Sequence, residues 1–236
     1  MDAAQAVTAW FLDPAHWSGA NGVPYRLAQH VGISLVSIAI ALAIALPVGL
    51  YIGHTRRGQA LAINLANIGR AIPSLAAIAI VVPFTQMIDP GKGFNLYPTI
   101  VAMVVLAIPP ILVNTYAGIA EVDGDLVESA RGMGMTERQV LGSVEIPIAL
   151  PVIVGGLRSA TVQVIATATL GAIYGLGALG GYIVEGVAQR DDGRLFAGVV
   201  LVAALALLAE GGLALVQRRL GIPAAAAAAA AEAAAS

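Results

Sequence analysis

Long apolar runs without a charged residue are the feature that most constrains how this chain can fold. Val31–Ile52 contains no charged side chain, and at about 1.5 Å per residue a helix of that length crosses the roughly 30 Å hydrocarbon core of a membrane. Charged residues make up 11% of the sequence, whereas soluble domains carry about 25%. The sequence predicts an all-α integral membrane protein with five spans, near residues 28–53, 60–87, 97–119, 148–172 and 195–217.

Prolines lie within or beside these spans and interrupt their hydrogen bonding. Because proline has no backbone N–H, each one frees a carbonyl that a neighbouring group has to satisfy inside the membrane. The spans are therefore expected to be kinked helices of one bundle rather than isolated anchors. The prolines concerned are Pro47, Pro73, Pro83, Pro109, Pro110 and Pro151.

Arginines close to the span ends predict the orientation, because basic residues are enriched on the cytoplasmic side of membrane proteins. The arginines assigned to that side are Arg56, Arg57, Arg131, Arg138, Arg218 and Arg219. Five spans then place the N-terminus outside and the C-terminus inside. We expect an extracytoplasmic segment at residues 1–26, which lacks the features of a cleavable signal, a transmembrane domain at 27–220 and a low-complexity, alanine-rich cytoplasmic tail at 221–236.

The composition argues against several other functions. A net charge of -2 does not provide the basic surface of a nucleic-acid-binding protein, and the absence of cysteine excludes thiolate metal sites and cysteine nucleophiles. The three histidines are not spaced as a ligand pair, so neither a metal nor a cofactor is expected. The single lysine, Lys92, is not part of a phosphate-binding loop. We therefore expect a non-catalytic chain.

The segment between the third and fourth spans is unusually polar. Residues 121–145 hold eight of the 26 charged residues of the chain. Two capping patterns, beginning at Asp125 and at Thr136, predict two short helices, with Gly132 and Gly134 between them. An apolar stripe on the first helix either packs on the protein's own spans or enters a groove of a partner. The stripe consists of Leu126, Val127, Ala130 and Met133.

The spacing of residues in this segment resembles the EAA loop, E-A-A-x3-G-x9-I-x-L-P, of permease subunits of binding-protein-dependent ABC importers. The residues that carry the pattern are Glu128, Ser129, Ala130, Gly134, Val144, Ile146 and Pro147. Ser129, Val144 and Ile146 depart from the consensus but keep its spacing. The resemblance implies a coupling helix within residues 121–147 that docks into a cleft on a cytoplasmic ABC ATPase, with Glu128, Ala130 and Gly134 carried over to that role.

Further segments, residues 70–75, 114–118, 128–136 and 157–171, resemble the osmoprotectant permeases of this importer class, which serve glycine betaine, carnitine and choline. The resemblance covers roughly residues 27–220 and implies a type I ABC importer permease fold in a bacterial cytoplasmic membrane. It also implies a second permease subunit, either the same chain or a sister chain, together with ATPase subunits and an extracytoplasmic substrate-binding protein. A methionine-type importer permease is the nearest alternative, and a membrane channel or enzyme is the alternative from a different class.

Charged and helix-breaking residues in or near the spans are candidates for the transport pathway or its gates. A charge inside the membrane is costly and marks a pathway, a gate or an ion pair. Arg70 and Arg158 are expected to extend their guanidinium groups to the cytoplasmic interface, whereas Glu210, about two turns before Arg218, is harder to explain in this way. The candidates are Arg70, Pro73, Ser74, Asn114, Arg158, Gly175, Gly177 and Glu210.

Overall fold

The structure, a computed structural model, describes residues 3–219 apart from the side chains of Ala3, Leu61, Leu65, Ala66 and Arg70. The alanine-rich tail expected at residues 221–236 lies outside the described residues, and so does the Arg70 side chain, which was a pathway candidate.

The described residues form α-helices joined by short connections, and none of them is in a β-strand. Wider or tighter helical turns occur at Pro14–Trp17, Leu141–Glu145 and Thr169–Tyr174; the first and third are 3₁₀ turns and the second is a π turn. The α-helices are α1 Ala3–Leu12, α2 Val23–Thr55, α3 Gln59–Ala71, α4 Ser74–Ile88, α5 Leu96–Ala120, α6 Gly124–Gly132, α7 Glu137–Val140, α8 Ile146–Ala168, α9 Gly180–Gln189 and α10 Asp192–Arg219.

Four helical segments within residues 3–219 are long and apolar enough to cross a membrane by themselves. They are Val23–Thr55, Leu96–Ala120, Glu137–Tyr174 and Asp192–Arg219, and α3 with α4 supplies a fifth crossing if the two are counted as one broken span. The all-α prediction with about five spans is therefore confirmed. The second predicted span is not continuous, because Pro73 is extended at φ −59°, ψ 131° and caps α4, and a proline disfavours helical geometry at the residue before it.

The chain divides into two compact units, and the dividing points fall inside α2, α5, α8 and α10 and in the break between α3 and α4. The first unit comprises Met1–Ala39, Ile72–Leu106 and Thr161–Ala209, and the second comprises Ile40–Ala71, Ala107–Ala160 and Glu210–Ser236. The polar loop between α5 and α8 belongs to the second unit. The connection between the 3₁₀ turn Thr169–Tyr174 and α9 belongs to the first unit.

Small residues let the helices of the second unit approach closely. A Cβ added at Gly156 of α8 would lie 2.6 Å from the Asn114 Cβ of α5, and one added at Gly49 of α2 would lie 2.7 Å from the Thr115 Cβ. Such contacts replace the hydrophobic driving force that helices lack in lipid. The Asn114 side-chain amide donates a hydrogen bond of 2.7 Å to the carbonyl of Pro110, so this pathway candidate is bonded to its own helix beside the contact with α8.

Arg158 of α8 forms an ion pair with Glu210 of α10 within the second unit. Its Nε donates to Glu210 Oε1 at 3.1 Å and its Nη2 donates to the same oxygen, while Nη1 donates to Gln217 Oε1 at 2.8 Å. Arg158 is therefore paired within the chain, and its reach to the cytoplasmic interface stays a prediction. The partner that satisfies it lies 52 residues further along the chain, a distance that helix periodicity does not reveal.

Removing one partner of this ion pair should destabilise the protein more than removing both. The Arg158→Leu and Glu210→Leu single variants each leave a charge without its counter-ion in a weakly polar environment, at a cost of about 3–5 kcal/mol. The double variant removes both charges and should recover most of the loss. The unfolding midpoint of each variant in detergent is the measurement, and additive losses in the double variant would contradict the assignment.

Candidate coupling site

The first loop helix, α6, is capped by Asp123. The Asp123 side chain accepts a hydrogen bond of 2.8 Å from the backbone N–H of Asp125, and Gly124 is the first helical residue. The predicted cap at Asp125 is therefore wrong by two residues. Asp123 and Asp125 both carry a side chain suited to capping. The cap is the one whose backbone is non-helical, which the sequence does not show.

Gly134 terminates α6 in a left-handed conformation with φ +86°. The Met135 N–H donates to the Ala130 carbonyl at 3.2 Å, and the Gly134 N–H donates to the Arg131 carbonyl at 2.9 Å. These two bonds form a Schellman motif, which needs a positive φ at its penultimate residue and therefore favours glycine. Gly132, which was expected between the two helices, is instead the last residue of α6.

The second loop helix, α7, begins at the predicted capping box. The Thr136 backbone N–H donates to Gln139 Oε1 at 2.8 Å. Arg131 of α6 reaches across to Glu137 of α7 with two hydrogen bonds of 2.9 Å. These bonds lower the pKa of the Glu137 carboxyl below its ordinary value and raise the pKa of Arg131. Both groups therefore stay ionised at neutral pH, and the pair fixes α6 against α7.

The apolar stripe of α6 divides between two environments. Val127 and Ala130 are buried in a small core with Val122 and Val140, and Met135 and Val144 pack around it. Leu126 is 51% exposed and Met133 is 77% exposed. The buried half of the stripe therefore packs within the loop itself rather than on the spans, and the exposed half forms an apolar surface whose contact with a partner stays a prediction.

The residues of the EAA-like pattern divide in the same way. The buried or half-buried members stabilise the frame of the loop, since Ala130 lies in its core and Ile146 packs against Ile119, Ala149 and Ile153. The remaining members lie on its surface. Glu128, Ser129, Gly134 and Pro147 are exposed, whereas Ala130 is buried and Val144 and Ile146 are half-buried.

Sequence reasoning assigned no role to His54 of α2 or to Glu145 of the loop. His54 Nδ1 lies 2.6 Å from Glu145 Oε2, and Nε2 lies 3.0 Å from Glu137 Oε2. The two partners in the first contact are 91 residues apart. The sequence does show a histidine at the end of the first span and acidic residues in the loop. Their spacing does not indicate which of the acidic residues contacts the histidine.

The pathway candidates are distributed over both compact units. Asn114, Arg158 and Glu210 belong to the second unit, while Pro73, Ser74, Gly175 and Gly177 belong to the first. Gly175 and Gly177 have φ values of +81° and +78°.

Gln29 of α2 holds the glycine-rich loop in place. Its Oε1 accepts from the Ala178 N–H at 2.8 Å, and its Nε2 donates to the Leu176 carbonyl at 3.1 Å. Backbone segments approach closely in this region, because a Cβ at Gly180 would lie 2.4 Å from the Thr169 carbonyl oxygen.

A second polar cluster, also missed from the sequence, lies in the first unit beside a cavity of about 480 Å³. The Arg26 side chain is only 7% exposed, donates to Glu185 Oε1 at 2.6 Å and stands 4.4 Å above the Tyr182 ring. Arg194 donates to the other Glu185 oxygen at 3.3 Å. These contacts tie α2, α9 and α10 together. Within residues 3–219, no group of three His, Asp or Glu side chains is arranged to hold a metal ion.

The conformation of Gly134 generates a prediction about the loop. A Cβ at this position meets no atom within 4 Å, so only the positive φ opposes substitution. Gly134→Val should weaken the Schellman bonds by about 1–2 kcal/mol and speed amide exchange at Gly134 and Met135 roughly tenfold. Gly134→Asn, which tolerates this conformation, and Gly132→Ala, which suits a helix, are the matched controls. Equal exchange in all three variants would contradict the role of the left-handed turn.

Comparison with known proteins agrees with this geometry. The family model described as "Binding-protein-dependent transport system inner membrane component" matches residues 25–222. The chain is 35% identical over 195 residues to the glycine betaine/carnitine/choline transport system permease protein OpuCB of Bacillus subtilis, covering 83% of this chain and 87% of the relative. It is 39% identical over 193 residues to the carnitine transport permease protein OpuCD of Listeria monocytogenes, with 81% and 83% coverage.

Similarity extends to solved structures. The inward-facing MetNI methionine ABC transporter matches with a TM-score of 0.72 and 26% identity, covering 84% of this chain and 95% of that chain. The type I importer permease fold implied by the sequence is thereby confirmed. The chain belongs to the family of inner membrane components of binding-protein-dependent transport systems.

Proposed function

We propose that this chain is the permease subunit of an ATP-driven importer of quaternary-ammonium osmoprotectants such as glycine betaine, choline and carnitine. The observation that carries the proposal is the polar loop, whose buried half is a rigid frame and whose exposed half, Leu126 and Met133, is apolar. An exposed apolar patch on a well-ordered helix is suited to insertion into a groove of a partner. The named substrates of the sequence relatives supply the substrate class.

An amino-acid importer is the second candidate, favoured by the fold similarity to a methionine transporter. Identity to that transporter is 26%, whereas identity to the permeases named for carnitine and choline reaches 39% and 35%. A shared fold hosts several substrates, and closer sequence similarity is the better guide to which one is used. The osmoprotectant assignment is therefore the stronger of the two.

The loop couples this chain to a cytoplasmic ABC ATPase. In this proposal Ala130, Val144 and Ile146 keep the frame rigid, Gly134 turns the chain between α6 and α7, and Glu128, Ser129 and Pro147 border the docking surface. A rigid loop suits this coupling role, because a loop that deformed when the ATPase moved would not transmit that movement to the spans. ATP is hydrolysed by the separate ATPase subunits, consistent with a sequence that has no phosphate-binding loop.

The complex contains two permease subunits, which are copies of this chain or sister chains, and an extracytoplasmic binding protein that delivers the substrate. The N-terminus lies outside and the C-terminus inside, so residues 1–26 are extracytoplasmic, residues 27–220 form the membrane domain and residues 221–236 are a cytoplasmic tail. Paired arginines at positions 56–57 and 218–219 support this orientation. It places the loop at 121–147 in the cytoplasm, where an ATPase can reach it.

The gate candidates receive separate roles in this proposal. The break at Pro73 and Ser74 lets α3 and α4 move separately, and the turn at Gly175 and Gly177 forms part of the outer gate. Arg70 and Asn114 remain candidates for the pathway. The contacts of Arg158 with Glu210 support a role in holding α8 to α10 as the spans move.

The substrate class is tested by reconstituting the chain with its ATPase, its binding protein and any sister permease. Glycine betaine, choline or carnitine should stimulate ATP hydrolysis at least about fivefold more than methionine does, which is the lower end of typical coupling between sites. A ligand drives the cycle only if it favours one state of the complex over another. Stimulation by methionine alone would favour the amino-acid importer, and absence of ATPase binding would contradict the importer assignment.

A further inference from the structure

His54, the residue before the last of α2, contacts the coupling loop through both of its ring nitrogens. Nδ1 lies 2.6 Å from Glu145 Oε2 and Nε2 lies 3.0 Å from Glu137 Oε2. The Glu145 side chain is 6% exposed, and His54 is its hydrogen-bond partner among the described residues. A buried carboxylate with one partner depends strongly on that partner, because the charge would otherwise be left uncompensated.

The wide π turn at Leu141–Glu145 explains why two acidic residues eight positions apart meet one histidine. Two turns of α-helix take about 7.2 residues, so in a regular helix Glu137 and Glu145 would be displaced around the axis by about 80°. A π turn closes its hydrogen bond over one additional residue, here from the Ile146 N–H to the Leu141 carbonyl. The additional residue offsets most of that rotation around the helix axis, so both carboxylates lie on the side of the loop that faces His54.

Further ionic contacts connect His54, through Glu137, to α6. Glu137 accepts two hydrogen bonds of 2.9 Å from Arg131, which lies on α6. A chain of charged groups thus runs from the end of α2 through α7 to α6, beside the exposed Met133. The charged groups that face His54 are Glu137 and Glu145; Arg131 lies on the far side of Glu137, and Arg56 and Arg57 follow on the connection after α2.

The geometry requires the protonated form of His54 if both contacts are to be hydrogen bonds. A neutral imidazole has one N–H, so one of its nitrogens would turn a lone pair towards a carboxylate. The imidazolium donates to both carboxylates, and a cation at the C-terminal end of a helix is also favoured by the helix dipole.

We infer that His54 is a positioning residue that, as an imidazolium, joins the coupling loop to the end of α2 and transmits movement of the loop to that span. The inference rests on the proposed function, since it needs an ATPase that moves the loop. Without the His54 side chain, both carboxylates lose their contact with the end of α2 and the connection loosens. Coupling then weakens, while attachment of the ATPase, which depends on the exposed face of α6, is unaffected.

The test compares variants of the complete complex in proteoliposomes. His54→Gln keeps a hydrogen-bonding side chain without the charge, and His54→Lys keeps the charge. Glu137→Gln removes the charge of the exposed partner and leaves the buried partner, Glu145, unchanged. Arg57→Gln is the matched control, because Arg57 is an exposed cation three residues further on that forms no ion pair with a described residue. The readout is the ratio of ATP hydrolysis with glycine betaine-loaded binding protein to hydrolysis without it.

We expect His54→Gln to lower this ratio about tenfold, the effect of losing one hydrogen bond to a charged group, with the ATPase still co-purifying. Glu137→Gln should lower it less, and His54→Lys should retain it within about twofold. Unchanged ratios in His54→Gln and Glu137→Gln, or an equal loss in Arg57→Gln, would overturn the inference. Failure of the unmodified chain to retain an ATPase would instead contradict the proposed function and the inference with it.

Discussion

In the hydrocarbon core of a membrane, a backbone N–H or carbonyl without a partner costs several kcal/mol, and no water is present to replace the partner. This constraint determines the helical spans, and it extends to the polar side chains placed within them. Asn114 bonds to the carbonyl of Pro110 in its own helix, and Arg158 is satisfied by Glu210 and Gln217. Small residues such as Gly156 complete the arrangement by letting the helices approach.

The polar loop follows different rules, because it is built from capping interactions and a few buried apolar residues. Asp123 begins α6, Gly134 ends it, and Thr136 begins α7. The core around Val127 and Val140 then fixes the two helices together. A loop built in this way can transmit a displacement as a unit, which is the property that coupling to an ATPase demands.

Local patterns in the sequence predicted the parts of the structure that depend on local interactions. The spans follow from hydropathy, and the turn at Gly134 and the cap at Thr136 follow from turn and capping chemistry. The position of the first cap was missed because Asp123 and Asp125 are equally suited to it in the sequence. The side on which each residue of the apolar stripe lies depends on packing with Val122 and Val140, which the stripe itself does not specify.

Contacts between distant residues could not be predicted. Arg26 meets Glu185 across 159 positions and His54 meets Glu145 across 91. Each pair depends on how helices pack, and a single sequence offers no spacing rule for such packing. Glu137 and Glu145 would be displaced by about 80° around a regular helix, and the wide turn at Leu141–Glu145, which the sequence did not predict, reduces that displacement. The sequence therefore did not show which of its distant residues lie close together in the fold.

The central claim is that the exposed face of α6 docks on an ATPase in the cytoplasm, and cross-linking tests it most directly. The chain contains no cysteine, so Met133→Cys and Lys92→Cys each introduce one reactive site. The account predicts that Met133→Cys is protected from an impermeant maleimide in intact cells and cross-links to the ATPase in inverted vesicles, while Lys92→Cys is labelled from outside and does not cross-link. Labelling of Met133→Cys from outside, or its failure to cross-link to a bound ATPase, would contradict the account.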